Sequence, residues 1–154
     1  MIDNGKVILV SHPSLEDVDA IVSFQLAMAM ESEGLKLDRK NLEKGVAAVM
    51  EDRTKGRYFV AKCGDELVGS LMVTPEWSDW NNCEHWWIQS VYVKPEYRRQ
   101  GVFTALCREV ELQAQTEGVK YVRLYADRNN LAARSCYQSL GFGEGHYLMM
   151  EKGL

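Results

Sequence analysis

The order of helix-like and strand-like segments is the feature that most restricts the fold of this chain. Apolar residues recur at helical spacing in some segments and form short or alternating apolar runs in others. The predicted strands cover residues 6–11, 57–63, 66–74, 85–93, 121–126 and 146–152, and the predicted helices cover 15–33, 39–51, 101–117 and 131–140. This order, βααβββαβαβ, implies an α/β fold with helices flanking a mixed, mostly antiparallel central sheet.

Local signals support several of these boundaries. Ser14 with Asp17 three residues later resembles a capping box, and Asp38 suits the N-cap of the second helix. Gly34 is a typical helix stop. Residues 75–82 are polar and contain tryptophan, and we interpret them as a loop.

Length and composition exclude several classes of protein. The 154 residues suit one domain spanning 1–154, and a net charge of -4 without a basic run argues against nucleic acid as a partner. No apolar run is long enough to cross a bilayer and residues 1–6 do not resemble a signal peptide, so we expect a cytoplasmic protein without a membrane partner. The four cysteines and three histidines show no metal-ligand spacing, so no metal is expected.

Residues 89–103 combine a strand end, a basic turn and a helix start. Backbone N–H groups at a helix start point the same way, and the helix dipole favours negative charge there. Arg98 and Arg99 add positive charge, and Gly101 allows close approach of a ligand. The segment therefore suits a pyrophosphate, and the alternative is a surface turn with two solvated arginines.

A second segment, residues 129–142, predicts a short helix with chemistry of its own. Asn130 suits the N-cap, Gly141 suits a left-handed C-cap, and Phe142 can pack back onto the helix. Tyr137 lies nearly two turns into this helix. Taken alone, a tyrosine at this position is most simply an aromatic residue packed on the core.

Together the two segments resemble the signatures of the GNAT superfamily of acyl-CoA-dependent N-acetyltransferases. The first signature, Arg or Gln, two residues, Gly, one residue, and Gly or Ala, matches residues 98–103, except that Phe103 replaces the usual small residue. The second, Asn-x-x-Ala-x-x-x-Tyr with a later Gly-Phe, matches Asn130, Ala133 and Tyr137. The resemblance extends over nearly the whole chain through the order of elements.

The resemblance implies acetyl-CoA as co-substrate and an acetyl transfer to a primary amine by direct attack. In this arrangement Tyr137 lies near the thioester sulfur and is the candidate general acid. The pantetheine amides pair with backbone groups of Val91 and Val93, and the pyrophosphate lies on the following turn. The expected cofactor contacts are Val91, Tyr92, Val93, Arg98, Arg99, Gln100, Gly101, Val102, Phe103, Thr104 and Asn130.

The N-terminal part also resembles the polyamine (spermidine/spermine) acetyltransferase branch, in residues 24–27, Glu31, Glu33 and 37–38. A cationic acceptor would suit carboxylates and tryptophan faces. The candidate acceptor residues are Glu31, Glu33, Trp80, Glu84, His85 and Gln89. Gln89 stands where that branch carries a carboxylate and cannot itself be a base, so a water relayed to Glu31, Glu33 or His85 would have to take the proton.

Other functions fit the same motifs. The same fold could act on an amino acid, an antibiotic or a protein N-terminus, and a CoA-binding regulatory module would keep the phosphate turn without turnover. Family habit also suggests a homodimer. The sequence leaves the acceptor, the general base and the acyl chain length open.

Overall fold

The structure is a computed structural model that describes residues 2–3 and 5–154, with the side chains of residues 2, 3 and 6 left aside. It divides into two compact units, residues 1–124 and residues 125–154. Each unit is described by itself below.

The first unit contains most of the regular structure. Its strands are β1 (Ile2–Asp3), β2 (Lys6–Ser11), β3 (Arg57–Cys63), β4 (Glu66–Ser78), β5 (Cys83–Val93) and β6 (Val122–Leu124). Its helices are α1 (Val18–Glu33), α2 (Arg39–Glu51) and α3 (Val102–Thr116), with 3₁₀ turns at Leu15–Asp17 and Pro95–Tyr97. Every helix and strand predicted in this unit is formed, although β6 is shorter than the predicted 121–126. The two-residue strand β1 was missed because a pair of residues carries no periodic signal.

The strands form one mixed sheet in the order β1-β2-β3-β4-β5-β6. Neighbours are antiparallel from β1 to β5, whereas β5 and β6 are parallel. The α3 helix connects this parallel pair, since parallel neighbours need a long crossover. The predicted mixed, mostly antiparallel sheet is confirmed.

Helices cover both faces of the sheet. Side chains of α1 and α2 form one core cluster with strand residues that include Tyr58, Val60 and Tyr92, and Met72 packs against it. Gly69 approaches Val102 of α3. Because residues 69 and 72 of one strand face opposite ways, α3 lies on the other face of the sheet. Burial on both faces explains the nearly continuous apolar runs of β3 and β4.

The helix boundaries follow the predicted caps. The Ser14 N–H donates to Asp17 Oδ2 at 2.9 Å, completing the predicted capping arrangement at the 3₁₀ turn before α1. Gly34 ends α1 in the left-handed conformation with φ 63. Asp38 caps α2 by accepting from the Lys40 N–H at 3.1 Å.

The loop predicted over residues 75–82 is wrong for its first half. Strand β4 continues to Ser78, and Pro75, Glu76 and Trp77 pair with Trp86, His85 and Glu84 of β5. β5 accordingly begins at Cys83, two residues earlier than predicted. Cross-strand pairing compensates for the weak strand propensity of Pro75 and Glu76, which sequence alone could not reveal.

The second unit has one regular element, α4 (Leu131–Ser139), among its described residues. The strand predicted over residues 146–152 is not formed in the structure. The large apolar residues of this segment, Tyr147, Leu148, Met149 and Met150, are exposed. The apolar pattern of residues 146–152 alone was therefore not enough to predict a strand, because a strand forms only when it pairs with another strand.

Candidate functional site

Strand β5 leaves half of one edge open. It pairs with β6 only through Trp86, Trp87 and Ile88, opposite Val122, Arg123 and Leu124. Beyond Ile88, β5 continues to Val93 and pairs with β4 alone. Among the described residues no strand pairs with this part of the edge, so its backbone N–H groups can hydrogen-bond an extended ligand as an additional strand would.

A β-bulge lies at the point where the two strands part. Ser70 pairs with Tyr92 and Met72 pairs with Gln89, so Ser90 and Val91 of β5 together lie opposite one residue of β4. Ser90 has φ 54, a left-handed conformation that only a few non-glycine residues adopt.

The bulge changes which backbone groups reach the open edge. Before it, the Trp86 N–H points toward the β6 side and donates to the Tyr121 carbonyl at 2.9 Å. After it, the Lys94 N–H points toward β4 and donates to the Val68 carbonyl at 2.9 Å. The backbone N–H groups of even-numbered residues thus point to the β6 side before the bulge and to β4 after it. The N–H groups of Val91 and Val93 therefore point to the open edge. The Val93 carbonyl already accepts from Arg98 Nε at 2.9 Å.

The turn from β5 into α3 presents unsatisfied backbone donors. Arg99 and Gly101 both have positive φ, 62 and 81. Gly101 is the N-cap of α3 and provides no side-chain hydrogen bond, so the N–H groups of Val102 and Thr104 receive no capping bond from this position. Alternating backbone conformations with converging N–H groups are typical of anion-binding turns.

A glycine of β4 places the start of α3 close to the sheet. A Cβ at Gly69 would lie 2.9 Å from Cγ1 of Val102 and 3.1 Å from the Tyr92 carbonyl oxygen. Val102, the first residue of α3, is buried at 1% exposure. Gly69 thus allows the helix start to lie close to Tyr92 and Val93 at the end of β5.

Arg98 stabilises the end of β5 and is not a free cation. Its Nη2 donates to Glu31 Oε2 at 2.7 Å, and its guanidinium lies 5.5 Å from the centroid of the Tyr92 ring. Burial, together with the nearby Glu31 carboxylate, raises the pKa of Tyr92. Glu31 therefore lies beside the donor turn, and not with the other candidate acceptor residues on β5. Arg99 is exposed and has no ion-pair partner in residues 2–3 and 5–154.

Two of the candidate acceptor residues lie along one face of β5. Gln89 Nε2 donates to Thr74 Oγ1 across the strands at 3.0 Å. His85 is buried at 5% exposure, and its Nδ1 lies 3.5 Å from Glu76 Oε2. Neither ring nitrogen makes a hydrogen bond in the described structure. Glu76 accepts from Arg123 Nη1 at 2.8 Å, so this carboxylate is already neutralised by an arginine.

Glu84 and Trp80 lie elsewhere. Glu84 Oε2 accepts from the indole Nε1 of Trp86 at 2.9 Å. Glu84 and Trp86 line a cavity of about 270 Å³, whose other lining residues are Arg53, Thr54, Arg57, Val73 and Pro75. Arg57 stacks on Trp86 at 4.5 Å and pairs with Glu117, so this arginine of the cavity already has an ion-pair partner. Trp80 is 91% exposed in the β4–β5 turn.

The second unit holds the remaining predicted residues. Asn130 caps α4 by accepting from the Ala133 N–H at 3.0 Å, as predicted. Tyr137 is half-buried, and its ring lies 6.3 Å from that of Phe142 at a steep angle. The Phe142 N–H bonds back to the Tyr137 carbonyl at 3.0 Å, which closes the predicted Gly141 cap.

Sequence reasoning missed several residues that shape this site. Ser90 carries no local signal, because serine is not a residue that prefers left-handed backbone. Gly69 lies within a strand, where an isolated glycine is a known sign of a bulge or a close backbone approach, and that signal was present. Glu76 and Arg123 were not identified because they meet only through strand pairing.

Comparison with known proteins assigns the chain to a family of acetyltransferases. The family model described as acetyltransferase (GNAT) family matches residues 26–142, and the chain belongs to this family. The chain is 29% identical over 118 residues to N-acetyltransferase family 8 member 2 of Rattus norvegicus, covering 72% of this chain and 52% of the relative. It therefore spans about half the length of this curated relative.

Solved structures share the fold. A possible acetyltransferase from Clostridium difficile 630 is 39% identical, with a TM-score of 0.89 over 96% of this chain and 98% of that one. A predicted acetyltransferase from Clostridium acetobutylicum, solved with acetyl-CoA, is 15% identical, with a TM-score of 0.75 over 94% and 96% of the two chains. At that identity the second likeness shows the fold alone. Among the described residues, no helix is both long and apolar enough to span a membrane.

Proposed function

We propose that this chain is an acetyl-CoA-dependent N-acetyltransferase that acetylates a primary amine of a small cationic acceptor. The observation that carries the proposal is the open edge of β5, which lies next to the uncapped start of α3. An elongated ligand with amides at one end and a diphosphate at the other fits both features at once.

The donor arrangement fits the chemistry of coenzyme A. Backbone groups of Val91 and the N–H of Val93 would pair with the pantetheine amides. The N–H groups that begin α3 and the guanidinium of Arg99 would hold the diphosphate, because the helix dipole and the positive side chain both favour anions. In this arrangement only the backbone N–H of Phe103 would contact the diphosphate.

The chain's own residues would assist the transfer in two ways. Acetyl-CoA supplies an activated acetyl thioester. A backbone N–H at the β5 bulge would polarise its carbonyl as negative charge develops there. The unprotonated amine forms the new C–N bond as the C–S bond breaks, and Tyr137 would donate a proton to the departing sulfur. Before the attack, the ammonium group of the acceptor loses one proton to a water chain, since the amide of Gln89 cannot accept it. After the attack, the nitrogen loses a second proton, which would return through water to the Tyr137 phenolate.

The second part of the proposal is that the acceptor carries a positive charge. Glu33 ends α1, is exposed, and has no ion pair within the described part of the chain, so its charge is available to an ammonium group. Trp80 lies in the β4–β5 turn, at the end of β5 opposite to the donor turn, so we leave it out of the proposed acceptor site. Glu31 forms an ion pair with Arg98. We therefore propose that Glu31 stabilises the turn and does not contact the acceptor.

The donor site is tested by replacing Gly101 with valine and measuring CoA affinity by calorimetry. Valine is strongly disfavoured at φ 81, so the turn should reorganise and binding should be lost. Gly118→Val is the matched control, because Gly118 has φ 74 at the opposite end of α3. Equal affinity in Gly101→Val and Gly118→Val would refute the site.

The acceptor class is tested by turnover of a diamine, a neutral amine and an acidic amine. We expect the diamine to be preferred, and Glu33→Gln to raise its KM by about fivefold, the effect of roughly 1 kcal/mol from one exposed charge. Glu51→Gln, at the equivalent end of α2, is the control. Preference for the acidic amine would refute the cationic acceptor while leaving the donor site intact.

A further inference from the structure

The bulge at Ser90 needs support from outside its own strand. A non-glycine residue in left-handed backbone costs about 1–2 kcal/mol, and such a residue persists only where its surroundings hold it. Ser90 lies within β5, where both flanking segments pair regularly with β4. A regular strand could make the same number of hydrogen bonds to β4 on either side of Ser90. Strand pairing alone therefore does not favour the bulge.

A buried glutamine of α1 faces this bulge. Gln25 is 5% exposed, and its Nε2 donates to the Ser90 carbonyl oxygen at 3.5 Å. This distance is at the long end for a hydrogen bond, but the buried Gln25 and the half-buried Ser90 are partly shielded from water, which strengthens their electrostatic attraction. Only the amide NH₂ can serve a carbonyl, so the orientation of the Gln25 side chain is determined.

The packing of α1 keeps this contact in register. Phe24 stacks near Tyr92 with ring centroids 4.9 Å apart, and both residues belong to the core cluster under α1. Tyr92 faces α1 because the bulge reverses the alternation of β5 after Ser90. The aromatic contact and the Gln25 contact therefore both depend on the bulged form of the strand.

We propose that Gln25 is a positioning residue that holds Ser90 in its left-handed conformation and so directs the backbone groups of Val91 and Val93 to the open edge. This inference rests on the proposed function, since it assigns Gln25 to the binding of the acyl donor. Without the bulge, the backbone groups of Ser90 and Tyr92 would point to the open edge, and those of Val91 and Val93 would point toward β4.

The test is rescue of Gln25→Met by a glycine at position 90. Methionine keeps the length of glutamine but cannot donate, so we expect CoA affinity to fall by about tenfold, the usual effect of leaving a buried carbonyl unpaired. Ser90→Gly in the same background should recover most of the affinity, because glycine adopts positive φ without support. Asn82→Gly is the matched control, since Asn82 has φ 51 in the β4–β5 turn and should rescue nothing.

A second measurement separates this inference from the proposed function. Backbone NMR shifts of Ser90 and Val91 in the unliganded protein should change in Gln25→Met far more than those of Asn82. If wild type binds no CoA but these shifts respond, the proposed function fails and the support of the bulge by Gln25 stands. Wild-type affinity and unchanged shifts in Gln25→Met, or equal rescue by Asn82→Gly, would overturn the inference.

Discussion

Replacing Gly69 with alanine tests whether close packing of α3 on β4 holds the donor turn in place. Gly69 does not have positive φ, so alanine is compatible with its backbone and the effect is steric. The added Cβ would lie 2.9 Å from Val102 Cγ1, so the helix start must move by about 0.6 Å to reach an ordinary 3.5 Å carbon contact. The 3.1 Å contact with the Tyr92 carbonyl limits movement of the strand.

Opposing effects set the expected magnitude. Overpacking of a tight core costs about 1–3 kcal/mol, whereas the loss of glycine's freedom in the unfolded chain returns about 0.4–1 kcal/mol. We therefore expect Gly69→Ala to lower the free energy of unfolding by roughly 1–2 kcal/mol. Displacement of the α3 start should also weaken CoA binding by about tenfold, because the donor N–H groups move with it.

Urea unfolding and calorimetric titration with CoA measure both effects. Gly45→Ala is the control, since Gly45 lies within α2 with nothing within 4 Å of a Cβ, and should gain about 0.5–1 kcal/mol. Val102→Ala removes the clashing methyl groups, so the double variant should be more stable than additivity predicts by about 1 kcal/mol. Additive energies, or a Gly69→Ala variant with wild-type stability and affinity, would refute the packing argument.

Two further predictions concern the acid and a surface ion pair. Tyr137→Phe should lower kcat by about 10²–10⁴-fold with little change in CoA affinity, and wild-type turnover in stopped-assay kinetics would exclude Tyr137 as the general acid. The hydrogen bonds donated by Arg57 hold the pKa of Glu117 below its usual 4.5, so this pair adds stability above that pH and loses it as the pH falls through the lower folded pKa. Arg57→Met should thus flatten the loss of stability between about pH 6 and pH 3, measured by urea unfolding at each pH, and an unchanged slope would contradict the assignment.

Much of the candidate site follows from local sequence signals. Gly101 at the start of an amphipathic helix, after a basic turn, predicts unsatisfied donors because the helix geometry is local. The caps at Asp38 and Asn130 were predictable for the same reason, since each side chain bonds a backbone N–H within three residues. The engagement of Arg98 by Glu31 was not predictable, because the two residues are separated by 67 positions.

The sequence by itself determined the helices and main strands of the first unit, most of their boundaries and the donor turn of α3, because periodicity, caps and turns depend on residues close together in the chain. Only the tertiary structure decided where β5 parts from β6, that Ser90 adopts left-handed backbone, and that Gln25 reaches its carbonyl. These features arise from pairing and burial between distant segments. For the same reason, the apolar residues 147–150 formed no strand: their sequence pattern permits one, but strand formation requires a partner.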